Sequence, residues 1–457
     1  YEELYPLRKL KEGARVTRFA PSPTGYLHFG NLYTCMAAYV TAKATDGVFY
    51  VRVEDTDQKR KVDGAVSAML KGLSVYGIVA DEGVIGENEE KGDYAPYYQS
   101  ARKDIYQAYA KSLVMQGLAY PCFCSAEELD EIRASQENED IKGYYGKYAK
   151  CRNLSLDEIK KKIESGAEWT LRLKSPGDAE KKCYFDDMIK GKIEMPENIQ
   201  DIVLLKSDGI PTYHFAHVID DHLMRTTHVV RGDEWIASVP VHLQLFKVLG
   251  FKPVKYAHVA PIMKEENGGK RKLSKRKDPE AAVSYYAEAG YPAESVNEYL
   301  MTILNSNFED WRRANKDADI LSFPFNFKKM SASGALFDYA KLTDVSKNVI
   351  SKMSADKVFD LTYKWAEEYQ PQLYELFSKD KEKATAILNI DRENKKPRKD
   401  IAKWSEVLDY IGYMYDETFT PCYELSGNAT PKLAVKVIEE YPVSYTHLRA
   451  HETEADL

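Results

Sequence analysis

Apolar positions along the chain fall into two regimes. Over roughly the first hundred residues, short apolar runs alternate with stretches of helical period: residues 15–20 read as a strand, 28–43 as a helix, 48–53 as a second strand and 62–76 as a second helix. The turn-rich Pro21-Ser-Pro-Thr-Gly25 joins the first strand to the first helix, and the second strand ends in the acidic Glu54-Asp55-Thr56-Asp57. Strands alternating with helices predict a parallel sheet with crossovers, whose ligands sit at the carboxyl ends of the strands.

From about residue 99 to 210 the pattern changes to a long helix, a Cys-bearing segment, a helix over 156–164, and strands over 169–173 and 201–205, which reads as an insertion. Alternation resumes with a strand at 226–231, a helix at 240–249 and a strand at 256–261. Beyond about residue 345 the helical period dominates, as over 355–369 and 402–413. The expected fold class is therefore α/β: a Rossmann-type parallel-sheet domain in two halves, 1–98 and 211–262, split by an inserted α+β domain over 99–210. Residues 263–345 follow as a connecting region and 346–442 as an α-helical domain, with no internal repeat or low-complexity tract.

A length of 457 residues fits about three compact units. With 44% hydrophobic and 30% charged residues, a disordered chain is excluded. No window supplies the roughly 20 apolar residues of a membrane span, and the first residues lack the apolar core of a signal peptide; a cytoplasmic protein is expected. Opening on Tyr1 rather than Met, the sequence reads as a fragment at its start. Residues 443–457, containing Val443-Ser-Tyr-Thr-His-Leu-Arg-Ala-His-Glu-Thr453, read as the in-frame translation of a sequencing adapter, so the natural chain is expected to continue past Pro442. His447 and His451, four apart in that tail, imitate a zinc pair, a reading set aside with the tail itself.

Six Cys are too few for a disulfide framework, and Cys122, Cys124 and Cys151 bunch as reduced thiols or metal ligands. A net charge of −7 offers no global attraction for nucleic acid, so a polyanion must be held by local basic patches. Candidates are residues 160–162, 264–277, Arg312 with Arg313, and 395–399, each of which on its own reads first as a solvated face.

Two segments carry chemistry. His28 and Gly30 stand at the start of a helix directly after a strand, where free backbone N–H groups and the helix dipole receive phosphate. His28 could donate to a phosphoryl oxygen, and Gly30 would let an adenine or ribose lie against the backbone. The second segment, Gly268-Gly269-Lys270-Arg271-Lys272-Leu273-Ser274-Lys275-Arg276-Lys277, reads as a flexible Gly pair feeding a basic loop able to close over a triphosphate. Alone, the first could be a surface His beside a capping turn and the second a solvated loop or a contact to RNA phosphates.

Together they resemble the paired signatures of class I aminoacyl-tRNA synthetases, His-x-Gly-His and Lys-Met-Ser-Lys-Ser. The longer words Phe19-Ala-Pro-Ser-Pro-Thr-Gly-Tyr-Leu-His28, Val51-Arg-Val-Glu-Asp-Thr-Asp57, Leu205-Lys-Ser-Asp-Gly-Ile-Pro-Thr-Tyr-His214, Asp220-Asp-His222, Gly232-Asp-Glu-Trp235 and Gly334-Ala-Leu-Phe-Asp338 are similar to bacterial-type glutamyl-tRNA synthetases. The resemblance runs from about Thr17 to at least Leu342. Asn31 stands where the first signature has its second His, and Leu273 and Arg276 replace the Met and final Ser of the other.

The resemblance implies an ATP-dependent ligase that joins L-glutamate to tRNA(Glu) through a glutamyl-adenylate, with Mg2+ on the phosphates. It implies a glutamate pocket of Arg18, Arg231 and Glu54, two cations and one anion for a substrate with two carboxylates and one ammonium, lined by Ala20, Ser22 and Tyr213. ATP would meet Gly30, Asn31, Glu234, Trp235, Lys272 and Lys275, and the transition state His28 and Lys275. On its own, Glu54 could instead pair with Arg52 or Lys59, and Tyr213 could be a packed core residue.

The same resemblance makes 99–210 an acceptor-stem domain, 263–345 a stem-contact region and 346–442 a truncated anticodon-binding domain of a monomer. Some family members hold Zn2+ with a Tyr four residues before the last Cys. That place is Lys147 here, with Tyr145 and Tyr148 close by, and Cys122, Cys124, Cys151 and Tyr148 form the candidate site. Whether tRNA(Gln) is also charged stays open. The alternatives are a glutamyl transferase acting on a modified tRNA base, which would stop before the helical domain, a tRNA-binding paralogue without catalysis, and a small-metabolite nucleotidylyltransferase, which would not need this length.

Overall fold

β1 (Val16–Phe19), α1 (Phe29–Lys43), β2 (Val48–Val51), α2 (Ala65–Val75) and β3 (Glu82–Gly86) alternate strand and helix. The computed structural model describes residues 1–23, 25, 27–57, 62–418 and 430–440; the adapter-like tail, its two histidines and Lys59 lie outside them. β1 pairs parallel with β2 (Val16 opposite Val48), and β2 with β3 (Tyr50 opposite Glu82). β4 (Glu89–Lys91) folds back antiparallel on β3. Thr17 and Arg18 are buried along with Val16 because the sheet is covered on both faces, as a parallel sheet requires.

The chain then leaves the sheet through α3 (Lys103–Met115), β5 (Ala119–Cys122), α4 (Ala126–Ser135), α5 (Leu156–Glu164) and β6 (Thr170–Leu173). α4 and α5 each start in a capping box, Ser125 with Glu128 and Ser155 with Glu158, which satisfies the first free N–H groups of these short, mostly polar helices. A hairpin of β7 (Lys182–Asp187) and β8 (Gly191–Pro196) follows, and β9 (Val203–Leu205) completes an antiparallel sheet in the order β5-β6-β9. This antiparallel pairing departs from the parallel pairing of β1, β2 and β3.

α6 (Tyr213–Leu223) returns the chain to β10 (His228–Gly232), α7 (Val239–Leu249) and β11 (Lys255–Val259). β10 pairs parallel with β11, and the Thr227 N–H donates to the Val16 carbonyl at 3.0 Å, which sets β10 beside β1. The carboxyl ends of β1, β2 and β10 thus open on one side of the sheet.

β12 (Met263–Glu266) and β13 (Gly269–Lys272) form a tight hairpin. Asn267 and Gly268 both have positive φ, 52° and 77°, as a two-residue hairpin turn demands. The Gly pair is therefore a turn and a strand start, not the flexible feed expected from the sequence. Helices α8 (Ser284–Ala289), α9 (Ala293–Leu304), α10 (Phe308–Ala314), α11 (Tyr339–Ile350), α12 (Ala355–Tyr369), α13 (Pro371–Lys379) and α14 (Lys381–Asn389) complete the compact unit 1–405.

A second unit starts at Glu406 and contains α15 (Val407–Ile411) and α16 (Pro431–Glu440). The continuous helix expected over 402–413 is broken. The Trp404 N–H donates to the Gly290 carbonyl and the Ala402 carbonyl accepts from Ser346 Oγ, so backbone groups needed for a helix are spent on tertiary partners. Among the described residues, no helix is long and apolar enough to cross a membrane.

Candidate active site

A cavity of about 560 Å³ lies at the carboxyl ends of β1, β2 and β10 and is lined by Arg18, Ala20, Ser22, His28, Gly30, Asn31, Glu54, Tyr213, Arg231, Glu234, Trp235, Lys272 and Lys275. Every residue singled out for catalysis, ATP or glutamate thus borders one space, although those residues span more than 250 positions of chain.

His28 is the N-cap of α1, and its Nδ1 accepts the Gly30 N–H at 2.8 Å. With Nδ1 occupied as an acceptor, the neutral ring carries its proton on Nε2. Burial, with Lys275 and Lys272 nearby, pushes the His28 pKa down to about 4, so the imidazole is a neutral donor at physiological pH. A Cβ on Gly30 would stand 3.1 Å from that Nδ1, so glycine leaves the room in which the cap forms.

The four buried arginines around the sheet differ sharply in their counter-charges. Arg52 donates to Asp221 at 2.7 Å and to Glu54 at 3.2 Å, with Asp220 at 3.7 Å from its Nε, and Arg102 donates to Asp220 at 2.7 Å. Arg18 shares Asp221 at 3.4 Å. Arg231 instead donates only to neutral groups: His258 Nε2 at 3.1 Å, the Tyr213 hydroxyl at 3.2 Å, His242 Nδ1 at 3.3 Å and the Trp235 carbonyl at 3.4 Å. Among the described residues no carboxylate pairs with this guanidinium, which is only 6% exposed.

Glu54 both lines the cavity and pairs with Arg52, so the pairing expected of a merely structural residue and a place in the pocket coexist. Burial raises its pKa against the pull of Arg52 and Arg18. Tyr213 stacks obliquely on Trp235, with ring centroids 4.4 Å apart, and so forms a wall as well as a partner for Arg231.

Sequence reasoning missed Asp278, which is buried and organises the basic segment. Its carboxylate accepts two bonds from Arg271, at 2.6 and 2.8 Å, the Ser274 N–H at 2.8 Å and Lys264 at 3.2 Å. This clamps the turn that carries Lys272 and Lys275. Asp220 and Asp221 were visible as a word of the resemblance; their task as counter-ions for Arg18, Arg52 and Arg102 emerges only when α6 packs behind the sheet. Of the basic patches, Arg312 pairs with Glu298 and holds the carbonyls of Asn315 and Ala318.

The thiols of Cys122, Cys124 and Cys151 gather away from this cavity, all within 4.8 Å of one another. The phenol oxygen of Tyr144 lies 3.4 Å from Cys122 Sγ and 3.3 Å from Cys124 Sγ, and Cys124 and Cys151 Sγ are 3.7 Å apart. Tyr148 is not the fourth group: its hydroxyl donates to Glu139 at 2.6 Å. Gly143 and Gly146, both at positive φ, turn the loop so that Tyr144 enters the thiol cluster while Tyr148 faces Glu139. Sulfur separations near 3.8 Å are what a tetrahedral zinc with bonds of about 2.3 Å would impose, and three thiols with a phenol oxygen supply four donors.

The described fold and site define a class I aminoacyl-tRNA synthetase catalytic domain: the family model for tRNA synthetases class I (E and Q), catalytic domain, matches residues 15–344, and the chain belongs to that family. The closer relationship is to proteins named glutamate–tRNA ligase. That of Clostridium perfringens (strain 13 / Type A) is 52% identical over 450 residues, covering 97% of this chain and 82% of the relative, and that of Acetivibrio thermocellus is 50% identical over 449 residues, with 98% and 82% covered. A crystal structure of a glutamate tRNA ligase from Elizabethkingia meningosepticum in complex with its amino acid superposes with a TM-score of 0.75 at 29% identity, covering 93% of this chain and 85% of that one.

Proposed function

We propose that this synthetase joins L-glutamate to the 3′ end of tRNA(Glu), using ATP, through a glutamyl-adenylate. The observation that carries the reading is Arg231: a buried guanidinium with only neutral acceptors leaves its charge for a ligand carboxylate. Arg18 supplies the second cation, and Glu54 takes the ammonium. Ala20, Ser22 and Tyr213 close the pocket around the side chain.

ATP lies along Gly30, Asn31, Glu234, Trp235 and Lys272, and Mg2+ travels with its phosphates. The glutamate α-carboxylate attacks the α-phosphorus in line and pyrophosphate leaves. The 2′-hydroxyl of the terminal adenosine then takes the glutamyl group from AMP. No protein nucleophile is needed: the neutral His28 donates through Nε2–H to a phosphoryl oxygen, and Lys275 meets the charge that develops on the leaving pyrophosphate. Residues 99–210 hold the acceptor stem, 263–345 contact the tRNA stem and 346–442 hold the anticodon arm of a cytoplasmic monomer. tRNA must be bound before glutamate is activated.

Zn2+ would be held by Cys122, Cys124, Cys151 and Tyr144, where it would tie the loop of residues 143–151 to β5 and take no part in the reaction. Aminoacylation of tRNA(Glu) and tRNA(Gln) with labelled glutamate tests the proposal. Charging of tRNA(Glu) is expected, and failure to transfer labelled glutamate to tRNA(Glu) would overturn it.

A further inference from the structure

Behind Arg231 runs a buried chain that reaches into the insertion. Arg231 Nε donates to His258 Nε2 at 3.1 Å, and His258 Nδ1 stands 2.7 Å from Asp187 Oδ2. Asp187 is the last residue of β7, so its carboxylate belongs to the inserted hairpin while its partners lie on the Rossmann strands. Oδ2 also accepts the His258 N–H at 3.0 Å, and Oδ1 accepts the N–H groups of Ile189 and Lys190, each at 2.9 Å. His258 is fully buried and Asp187 almost so.

This arrangement admits one tautomer. An ionised Asp187 can only accept, so Nδ1 carries the imidazole proton; Nε2 is then a lone pair aimed at the guanidinium. Burial lowers the His258 pKa and the nearby Arg231 adds to that, outweighing Asp187, so the ring stays neutral. Burial works against charge on Asp187, but the bonds from His258, Lys190 and Ile189 outweigh it and keep the carboxyl below its ordinary value.

We propose that His258, oriented by Asp187, is a positioning residue that fixes Arg231 at the angle at which it meets the substrate carboxylate. The proposal rests on the reading that Arg231 binds glutamate. It also means that seating of the β7–β8 hairpin is felt in the amino-acid pocket, one hydrogen-bonded ring away.

The test uses paired amides in the full chain. His258→Asn keeps a donor for Asp187 but has nothing at the Nε2 place; His258→Gln puts an acceptor at that place and gives up Asp187. Glutamate and ATP KM values come from ATP–pyrophosphate exchange with saturating tRNA(Glu), and thermal midpoints are recorded alongside. His258→Asn is expected to raise the glutamate KM about ten- to a hundredfold, the factor set by one charge-assisted hydrogen bond, with the ATP KM little changed. His258→Gln is expected to recover most of that loss. Asp187→Asn should resemble His258→Asn, because a carboxamide cannot accept all four N–H groups. Equal damage from Asn and Gln, or a parallel rise in both KM values, would overturn the positioning role. Arg231→Lys separates the two levels: if it leaves glutamate use intact, the reading of Arg231 fails. If it impairs glutamate use while His258→Asn does not, only the positioning role fails.

Discussion

The imidazole of His28 accepts the backbone N–H of Gly30 at 2.8 Å, so the residue that caps α1 also presents its remaining N–H to the cavity. His28→Asn preserves a capping acceptor and removes the Nε2–H. It is expected to lower kcat for adenylate formation about a hundredfold, with stability nearly unchanged. Gly30→Ala presses a methyl group on Nδ1 and should impair the same step in a folded protein. A large fall in thermal midpoint for His28→Asn with normal turnover would make the cap purely structural.

Arg231 and Arg52 are both buried, yet their substitutions are expected to have opposite signatures. Arg52→Ala takes from Asp221 its closest cation, from Asp220 a second one and from Glu54 its ion-pair partner, at a cost of about 3 to 5 kcal/mol. Arg231→Ala leaves no carboxylate stranded in the free protein, so the loss should fall on glutamate KM. Urea unfolding and glutamate kinetics on both variants decide. Similar destabilisation by the two substitutions contradicts the assignment.

Much of this was legible in the sequence where local pattern and chemistry coincide. The strand, loop and helix around His28 could be read from residues 15–43 because β1 is a short segment of strand-forming residues, the turn holds Pro and Gly, and α1 is long. Which arginine meets a substrate could not be read locally. Arg18, Arg52, Arg102 and Arg231 are alike in sequence, and Asp220 and Asp221 pair closely with Arg102 and Arg52, and more loosely with Arg18, only after α6 folds back from more than 110 positions away. Tyr144 escaped a spacing argument because Gly143 and Gly146 redirect the loop. The break near Trp404 escaped periodicity because Gly290, far along the chain, takes its N–H.

Buried neutral histidines give the fold an acid limit. Burial pushes His214 and His228 down to about 4 and His217 down to about 3. The unfolded chain takes up protons as pH falls through about 6.5 and the folded chain does not until near these lowered values. Stability is therefore full above pH 7 and falls between about 6.5 and 4, with the fully buried His217 contributing a slope of up to about 1.4 kcal/mol per pH unit. Urea midpoints at pH 8, 7, 6 and 5 check this. A flat profile down to pH 5 contradicts it.

The thiol cluster predicts zinc content. About one Zn2+ per chain is expected by elemental analysis after purification without added metal. Cys124→Ser should lose it, Tyr144→Phe should weaken its retention against a chelator, and Tyr148→Phe should change nothing. Metal-free protein of full stability would remove zinc from the account.

Glutamate-dependent ATP–pyrophosphate exchange in the presence of tRNA(Glu), comparing the unaltered chain with Lys275→Ala, reads adenylate formation itself. Lys275 borders the cavity beside His28 and is assigned to charge that develops on departing pyrophosphate. Exchange is expected with glutamate and not with glutamine, and kcat is expected to fall about a hundredfold or more in Lys275→Ala at little-changed glutamate KM. Normal kcat with a raised glutamate KM, or exchange driven equally by glutamine, would contradict it.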